Sequence, residues 1–417
     1  MPQDPLHILC VEPHFPGRLG GVADWLVRRR GYKCYFYCHQ AGPKPFWPEA
    51  TGRGMDVIAF NVGGAGKEGT VTWQRTLERS LCYSFGAWEV INSRRPRPID
   101  VVLGRSDGLG SSLFAPVYTP RTPVVQLFDY YYHGRKNDLA DEMGPDSPPA
   151  YAHWRRSSNA IDLLDLENGV VPWVATDWQR RLYPPEYRDD FLVLHDGIDA
   201  RAFRPRPRPA LTIGGRTIPT DAKVLTYVAK SLDQLRGFDR FLNLANSLIR
   251  ERPDVIALAV GDPTVVRTLD VAWHGRNYRD HLLQLAPPTD PGRVWFPGAV
   301  TPQALAEILA RSDLHVAPGR TYPISRSMLQ AMAAGTVVLA TDNAPNREII
   351  EHGIDGWLAP ADDPDAWFRR TLEVLDDRAT HEPIGQSARQ TALERFDHDA
   401  TLPRLAERLN LLAGLGG

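Results

Sequence analysis

Residues 321–350, TYPISRSMLQAMAAGTVVLATDNAPNREII, combine residue types that can hold an anion. A polar, Pro-bearing loop runs into a helix-like segment ending in Ala-Ala-Gly, and an apolar strand and an Asp/Asn/Pro turn follow. The start of a helix offers unpaired backbone N–H groups and the positive end of a dipole, which together suit phosphate. Ser325, Arg326 and Ser327 stand at that start, although a Ser-capped helix of no special function would look the same. The stretch lacks carboxylates that would grip sugar hydroxyls. Other chemistries are poorly served. The 12 histidines show no HExxH spacing, and Cys10, Cys34, Cys38 and Cys82 show no metal-ligand pairing, so no metal site is expected. Neutral packing in a strand suits Cys34 and Cys38. The run EPHFPGRLGG after the first strand is not G-x-G-x-x-G, and the next strand ends in Cys-His-Gln rather than an acidic residue, so a dinucleotide cofactor is not expected.

These residues need a scaffold, and the apolar pattern supplies one. HILCV, KCYFYC, DVIAF, DVVLG, PVVQLF and VPWVA read as buried strands, with helical apolar spacing in GVADWLVRRR and WQRTLERSLCYSFGAWEVI. Such alternation means a parallel sheet covered on both faces. In residues 203–223 the pattern stops in prolines, basic residues and a Gly-Gly, which reads as a linker. It then restarts with KVLTYVA, GFDRFLNLANSLIRE, DVIALAVG, RVWFPGAV, PQALAEILARS and LHVAPG, and ends in the helical DPDAWFRRTLEVLDD. The expected fold class is therefore α/β, with two Rossmann-like domains facing across a cleft. The expected domains are 1–208, 209–390, and a C-terminal helix in 391–417 that packs back on the first. Ligands of open α/β sheets bind outside the carboxyl ends of the strands, so the chemistry belongs in the loops that follow them.

Bulk composition agrees with a two-domain globular chain. Its 417 residues exceed one ordinary core, and 43% hydrophobic with 24% charged residues is not a disordered composition. A net charge of −2 gives no general attraction to nucleic acid or anionic lipid. Lysine is scarce beside arginine, so a lysine at a loop draws more notice than an arginine. No signal peptide or membrane-spanning run is evident, so a cytoplasmic location is expected, with peripheral membrane contact left open.

The second half resembles the retaining GT-B glycosyltransferases of family 4 (glycosyl transferases group 1). The likeness rests on LHDGIDARAFRP (194–205), YVAKSLDQLRGFDRFL (227–242), VWFPGAVTPQALAEILARSDLHVAPG (294–319), and residues 321–350 with HGIDGWLAPADDPDAW (352–367). ATDWQRRLYPPEYRDD (175–190) carries it into the first half. The resemblance implies a nucleotide-diphosphate sugar as donor, most simply a UDP-sugar, transferred to an acceptor hydroxyl with retention and without a metal or other cofactor. It places Lys230 and Arg236 as the cations that neutralise the leaving diphosphate, beside the helix start at Ser325, Arg326 and Ser327. Gly20 and Gly21 would let the first domain's backbone approach the same phosphates.

The motif departs from the family at its two glutamates. Tyr322 stands where the first contacts the donor sugar, and Gln330 where the second accepts from the ribose hydroxyls. Gln keeps a carbonyl acceptor but loses the charge. Asp129 takes the place of a sugar-contacting His, with His133 nearby, and would orient a hydroxyl or stabilise positive charge at the anomeric carbon. Tyr130, Tyr131 and Tyr132 suit either a sugar-stacking wall or aromatic core. Glu348 matches the family's Pro-Glu-Ile and would contact sugar or cap a helix. The acceptor stays open among glycan, lipid, small molecule and modified nucleic acid, as does the oligomeric state. Alternative readings are a non-catalytic sugar-nucleotide-binding pseudo-transferase and a nucleic-acid-modifying transferase, the latter short of a basic stripe. A phosphorylase would need a cofactor lysine in a pocket.

Overall fold

The apolar runs of the first half become a single sheet of seven parallel strands. They are β1 (His7–Val11), β2 (Lys33–Cys38), β3 (Met55–Ala59), β4 (Val101–Arg105), β5 (Val124–Leu127), β6 (Val171–Val174) and β7 (Leu192–Val193). Their order is β3-β2-β1-β4-β5-β6-β7. This computed structural model describes residues 5–62, 72–94, 99–105, 121–133, 149–208, 210–262 and 275–414. The chain divides into one unit of Met1–Gly197 with His398–Gly417 and another of Ile198–Asp397.

In the first unit, helix α1 (Leu19–Arg30) follows β1 and buries Leu19, Val22, Ala23, Trp25 and Leu26 against the sheet. That i, i+3, i+4, i+7 spacing is one apolar face of a helix. The C-terminal helix, His398–Leu412, belongs to the same unit. Its Leu402, Leu405, Ala406 and Leu409 join the core around α1. Trp25 Nε1 donates to Asp399 Oδ1 at 2.7 Å, and Tyr32 donates to Asn410 Oδ1 at 2.8 Å.

The second unit repeats the topology. Strands β8 (Lys223–Ser231), β9 (Val255–Asp262), β10 (Val294–Gly298), β11 (Leu314–Ala317), β12 (Val337–Thr341) and β13 (Trp357–Ala359) lie in the order β10-β9-β8-β11-β12-β13, all parallel. Both sheets have the doubly wound order in which the first strand lies beside the fourth. There the chain reverses its direction of winding, and a crevice opens at the strands' carboxyl ends. In this unit the crevice is bounded by the loops after β8 and β11.

Two helices fix those loops. Helix α2 (Phe238–Glu251) buries Phe238, Phe241, Leu242, Ala245, Leu248 and Ile249 along one face. Helix α3 (Arg326–Ala333) starts at Ser325 and buries Met328, Leu329, Ala331 and Met332. It stops where Gly335 turns left-handed at φ 71°. The proline-rich segment read as a linker contains a short antiparallel hairpin, Leu211–Ile213 with Arg216–Ile218. Gly214 and Gly215 have φ of 56° and 80°, the positive pair a tight hairpin turn demands. The Gly-Gly that looked like a break is the turn itself.

Gly237, at the start of α2, has φ 74°, and a Cβ there would fall on the carbonyl of Pro318 in the loop after β11. Gly237→Ala is therefore expected to destabilise the second unit by about 1–3 kcal/mol through overpacking and backbone strain. Urea unfolding measures it. Wild-type stability in this variant would show that the two loops are not in close register.

Candidate functional site

In the second unit the loops after β8 and β11 are stitched together. Arg320 N donates to Leu235 O at 2.9 Å, Arg240 to Pro318 O at 3.1 Å, and Arg236 Nη1 to Pro323 O at 3.3 Å. The Arg236 guanidinium lies 5.1 Å from the centre of the Tyr322 ring. Asp233 shapes the first loop by accepting from the Arg236 N–H at 2.9 Å and from the Ser231 hydroxyl. Between these loops is a hollow lined by Arg236, Arg320, Tyr322, Ser325, Ser327 and Asn346 together with backbone and apolar groups. Its volume is about 30 Å³, room for about one water molecule.

The structure therefore gathers Arg236, Tyr322, Ser325 and Ser327 from among the residues singled out in the sequence. Ser327 is buried and its hydroxyl donates to Val228 O at 2.7 Å, so it braces the helix start against β8. Ser325 shares a 2.6 Å hydrogen bond with it. Lys230 is exposed at the end of β8 and does not line the hollow. Arg326 opens α3 and Gln330 lies half-buried one turn along; neither lines the hollow. Glu348 lies elsewhere, in an open surface groove with Asp342, Arg347, Glu351, His352 and Arg395, and its carbonyl accepts from Arg395 at 2.7 Å. The sequence reading missed Arg320 and Asn346. Arg320 was legible as the second cation in a post-strand loop at the reversal point.

The crevice of the first unit is filled by the chain's own charges. Glu12, fully buried just after β1, accepts from the backbone N–H groups of Arg18 and Leu19 at 2.9 and 2.8 Å. A carboxylate of the protein thus sits at the N-terminus of α1, where a bound phosphate would otherwise sit. Arg105, at the end of β4, donates to Glu12 at 2.8 Å and to Asp129 at 2.5 Å. Arg18 bridges Asp129 and Asp196, with Nε 3.0 Å from the latter. Gly17 turns at φ 53° directly over the Glu12 carboxylate, leaving no room for a Cβ.

Two expectations change here. Gly20, expected to bring backbone near phosphate, approaches Pro16 instead: a Cβ on Gly20 would lie 2.6 Å from that of Pro16, and Gly20 N donates to Pro16 O. Gly21 is the next residue of α1, past the capped start. Asp129, expected to orient a sugar hydroxyl, has each carboxylate oxygen taken by a guanidinium. Burial opposes its charge, but Arg105 and Arg18 outweigh that and hold its carboxyl below the usual carboxylate range. Tyr130 and Tyr132 are buried against each other and Trp178, as aromatic core. The Tyr132 backbone is clamped from both sides by the Asn159 amide. The His133 carbonyl accepts from Arg155 at 3.3 Å and its ring meets Tyr131 edge-on.

Family models now bear on these crevices. Residues 30–203 match the model described as Glycosyl transferase family 4 group, and residues 222–377 that described as Glycosyl transferases group 1. The chain belongs to the family 4, group 1 glycosyl transferases. Among relatives of this family, a phosphatidyl-myo-inositol mannosyltransferase of Mycolicibacterium smegmatis is 24% identical over 58% of this chain and 57% of its own. The chain spans about half the length of the curated relatives it matches. Sucrose-phosphate synthase from Thermosynechococcus elongatus superposes with a TM-score of 0.72 at 15% identity, covering 98% of this chain and 99% of its own. Anabaena HepE in complex with UDP-glucose does so with 0.71 at 15%, covering 97% and 100%. At that identity the likeness is one of fold, and the fold of this family 4 member is GT-B. Among the described residues no group of His, Cys, Asp or Glu is placed to hold a metal ion, and no helix is long and apolar enough to cross a membrane.

The Asp129 network sets a pH dependence for the first unit. A carboxyl whose folded pKa is lowered contributes stability that is complete above its unfolded value, about 3.9, and is lost as pH falls through the folded value. Asp129→Asn leaves two part-buried guanidiniums each short of one partner, so it is expected to cost about 3 kcal/mol at neutral pH. Urea unfolding from pH 7 to pH 3 checks this. The deficit relative to wild type should shrink below about pH 4, and a deficit that does not would place the stabilising charge elsewhere.

Proposed function

We propose that this protein is a cytoplasmic glycosyltransferase of the hexosyltransferase type. It moves a sugar from a nucleotide-diphosphate donor to an acceptor hydroxyl, with retention of configuration and no metal. The observation that carries the reading is the pair of clasped loops at the reversal point of the second sheet. They present Arg236 beside the start of α3, with Lys230 at the end of the adjoining strand. Family membership supports it, as do a relative named as a mannosyltransferase and a fold neighbour whose structure holds UDP-glucose.

In this reading the bond between the anomeric carbon and the β-phosphate oxygen breaks as the acceptor oxygen bonds to that carbon on the same face. The acceptor proton passes to the departing phosphate oxygen, and the nucleoside diphosphate leaves. Lys230, Arg236 and the backbone N–H groups at the start of α3 meet the negative charge that develops, which is electrostatic preorganisation. Charge-assisted hydrogen bonds of this kind contribute about 1.5–3 kcal/mol each. Gln330 takes the ribose hydroxyls and Tyr322 flanks the sugar. The first unit recognises the acceptor, and Asp129 acts there as a positioning residue through Arg18 and Arg105. A nucleotide sugar needs a pocket of about 300 Å³ or more, ten times the present hollow, so donor binding lifts Arg236 off Tyr322 and exchanges the Pro323 carbonyl for phosphate.

Thermal shifts with UDP, GDP, ADP, dTDP and their sugar conjugates test this reading. Ligand at about 100 times its dissociation constant stabilises by roughly 2.7 kcal/mol. One base family is expected to shift the transition, with slow donor hydrolysis in the absence of acceptor. Binding without any turnover would make the protein a sugar-nucleotide-binding pseudo-transferase, and no shift with any nucleotide would end the transferase reading. The double variant Lys230→Ala, Arg236→Ala is expected to lose nucleotide binding, and unchanged affinity would remove the diphosphate assignment. Gln330→Glu should hold or tighten binding; a large loss would mean that Gln330 does not face the ribose.

A further inference from the structure

Strand β8 carries one residue more than its partner β9 near its carboxyl end. Val228 pairs with Val260 and Ser231 with Asp262, so Ala229 and Lys230 together stand opposite the single residue Gly261. That is a β-bulge, which bends a strand and re-aims its side chains. Along β8, Val224 and Val228 pack on one face of the sheet, and Leu225, Tyr227 and Ala229 on the other. Unbroken alternation would send Lys230 to the face of Val228. The extra residue breaks that phase, and Lys230 is exposed.

Gly261 admits the bulge. A Cβ there would lie 2.7 Å from the Ala229 carbonyl oxygen and 3.0 Å from Leu232 Cδ2. The first neighbour is backbone, and the second belongs to a buried leucine in the core with Phe238 and Phe241. Neither yields unless the bulged segment moves, and a glycine within a strand often marks such a close backbone approach. The bulge also sets the loop that follows. Ser231, back in register, donates its hydroxyl to Asp233, and Asp233 accepts from the Arg236 N–H. A slip of one residue would turn Ser231 to the opposite face and break that chain. Lys230 and Arg236 thus take their places from the same irregularity.

We propose that Gly261 is a positioning residue for the transferase reaction: by admitting the bulge it sets Lys230 and Arg236 against the diphosphate without touching the donor. This deepens the proposed function and rests on its assignment of those two cations. The test measures dissociation constants of the full chain for UDP, GDP, ADP and dTDP. It compares wild type, Gly261→Ala, Lys230→Ala and the double variant. With the base that binds, Gly261→Ala is expected to weaken the diphosphate at least about tenfold, as loss of one charge-assisted contact does. On the Lys230→Ala background the glycine change should cost less than it does alone, because the lysine contact is already gone. Leu258→Ala, in the buried part of the same strand β9, removes core packing but should keep wild-type affinity.

A second arm leaves Gly261 untouched. Ala229→Lys combined with Lys230→Ala moves the lysine by one residue within the bulge and is expected to bind no better than Lys230→Ala. Recovery of wild-type affinity there overturns the inference, because the placement of the cation would not matter. That comparison decides even if Gly261→Ala fails to fold. Wild-type affinity in Gly261→Ala, full additivity in the double variant, or an equal loss in Leu258→Ala also overturns it and leaves the transferase reading intact. Wild-type affinity in Lys230→Ala, or no binding of any of the four diphosphates, would instead defeat the proposed function's own assignment, and the inference with it.

Discussion

The contact between Gly237 and the Pro318 carbonyl holds the candidate site together. With no side chain at Gly237, the loop after β8 presses directly against the loop after β11. Hydrogen bonds from Arg320, Arg240 and Arg236 then close across the seam onto Leu235, Pro318 and Pro323 carbonyls. Loops on two different strands thereby act as one surface. A parallel doubly wound sheet makes this possible, because only where the strand order reverses do two such loops leave a crevice between them.

The two units use the same crevice in opposite ways. In the first, Glu12, Arg105, Asp129, Arg18 and Asp196 fill it with alternating charge, and the helix start is capped by the chain's own carboxylate. Such a network pairs its carboxylates with guanidiniums of the same unit, which gives rigidity at the cost of ligand capacity. In the second, Arg236 makes a carbonyl contact and a ring contact, and Arg320 pairs with Asp239. A crevice whose carboxylates are each paired with a guanidinium is suited to position other groups. One lined by arginines and by no carboxylate is suited to bind an anion.

Burial explains why the polar residues at positions 322 and 330 do not decide the architecture. Helix α3 is held by Met328, Leu329, Ala331 and Met332 in the core, not by whatever stands at position 330 on its half-buried side. Tyr322 contributes a ring for Arg236 to rest on, a contact a carboxylate would make differently. The polar lining can therefore change while the scaffold stays fixed, because hydrophobic packing and the polar lining are separate interactions on opposite sides of the same elements.

The amino-acid sequence by itself determined the strands and helices, since period-two and period-3.6 apolar patterns such as KVLTYVA and FDRFLNLANSLIRE admit few other readings. It also determined which loop would lie at the helix start near Ser325, because that placement is local. Tertiary structure decided which charges are spent. Nothing local shows that Asp129 meets Arg18 and Arg105 across 111 and 24 residues, that Glu12 occupies the start of its own helix, or that Glu348 faces a different groove from Tyr322. Arg320 was visible as a cation but not as the partner of Asp239. Pairing is a property of the packed chain, because a charge is satisfied or left wanting only by what the fold brings within about 3 Å of it.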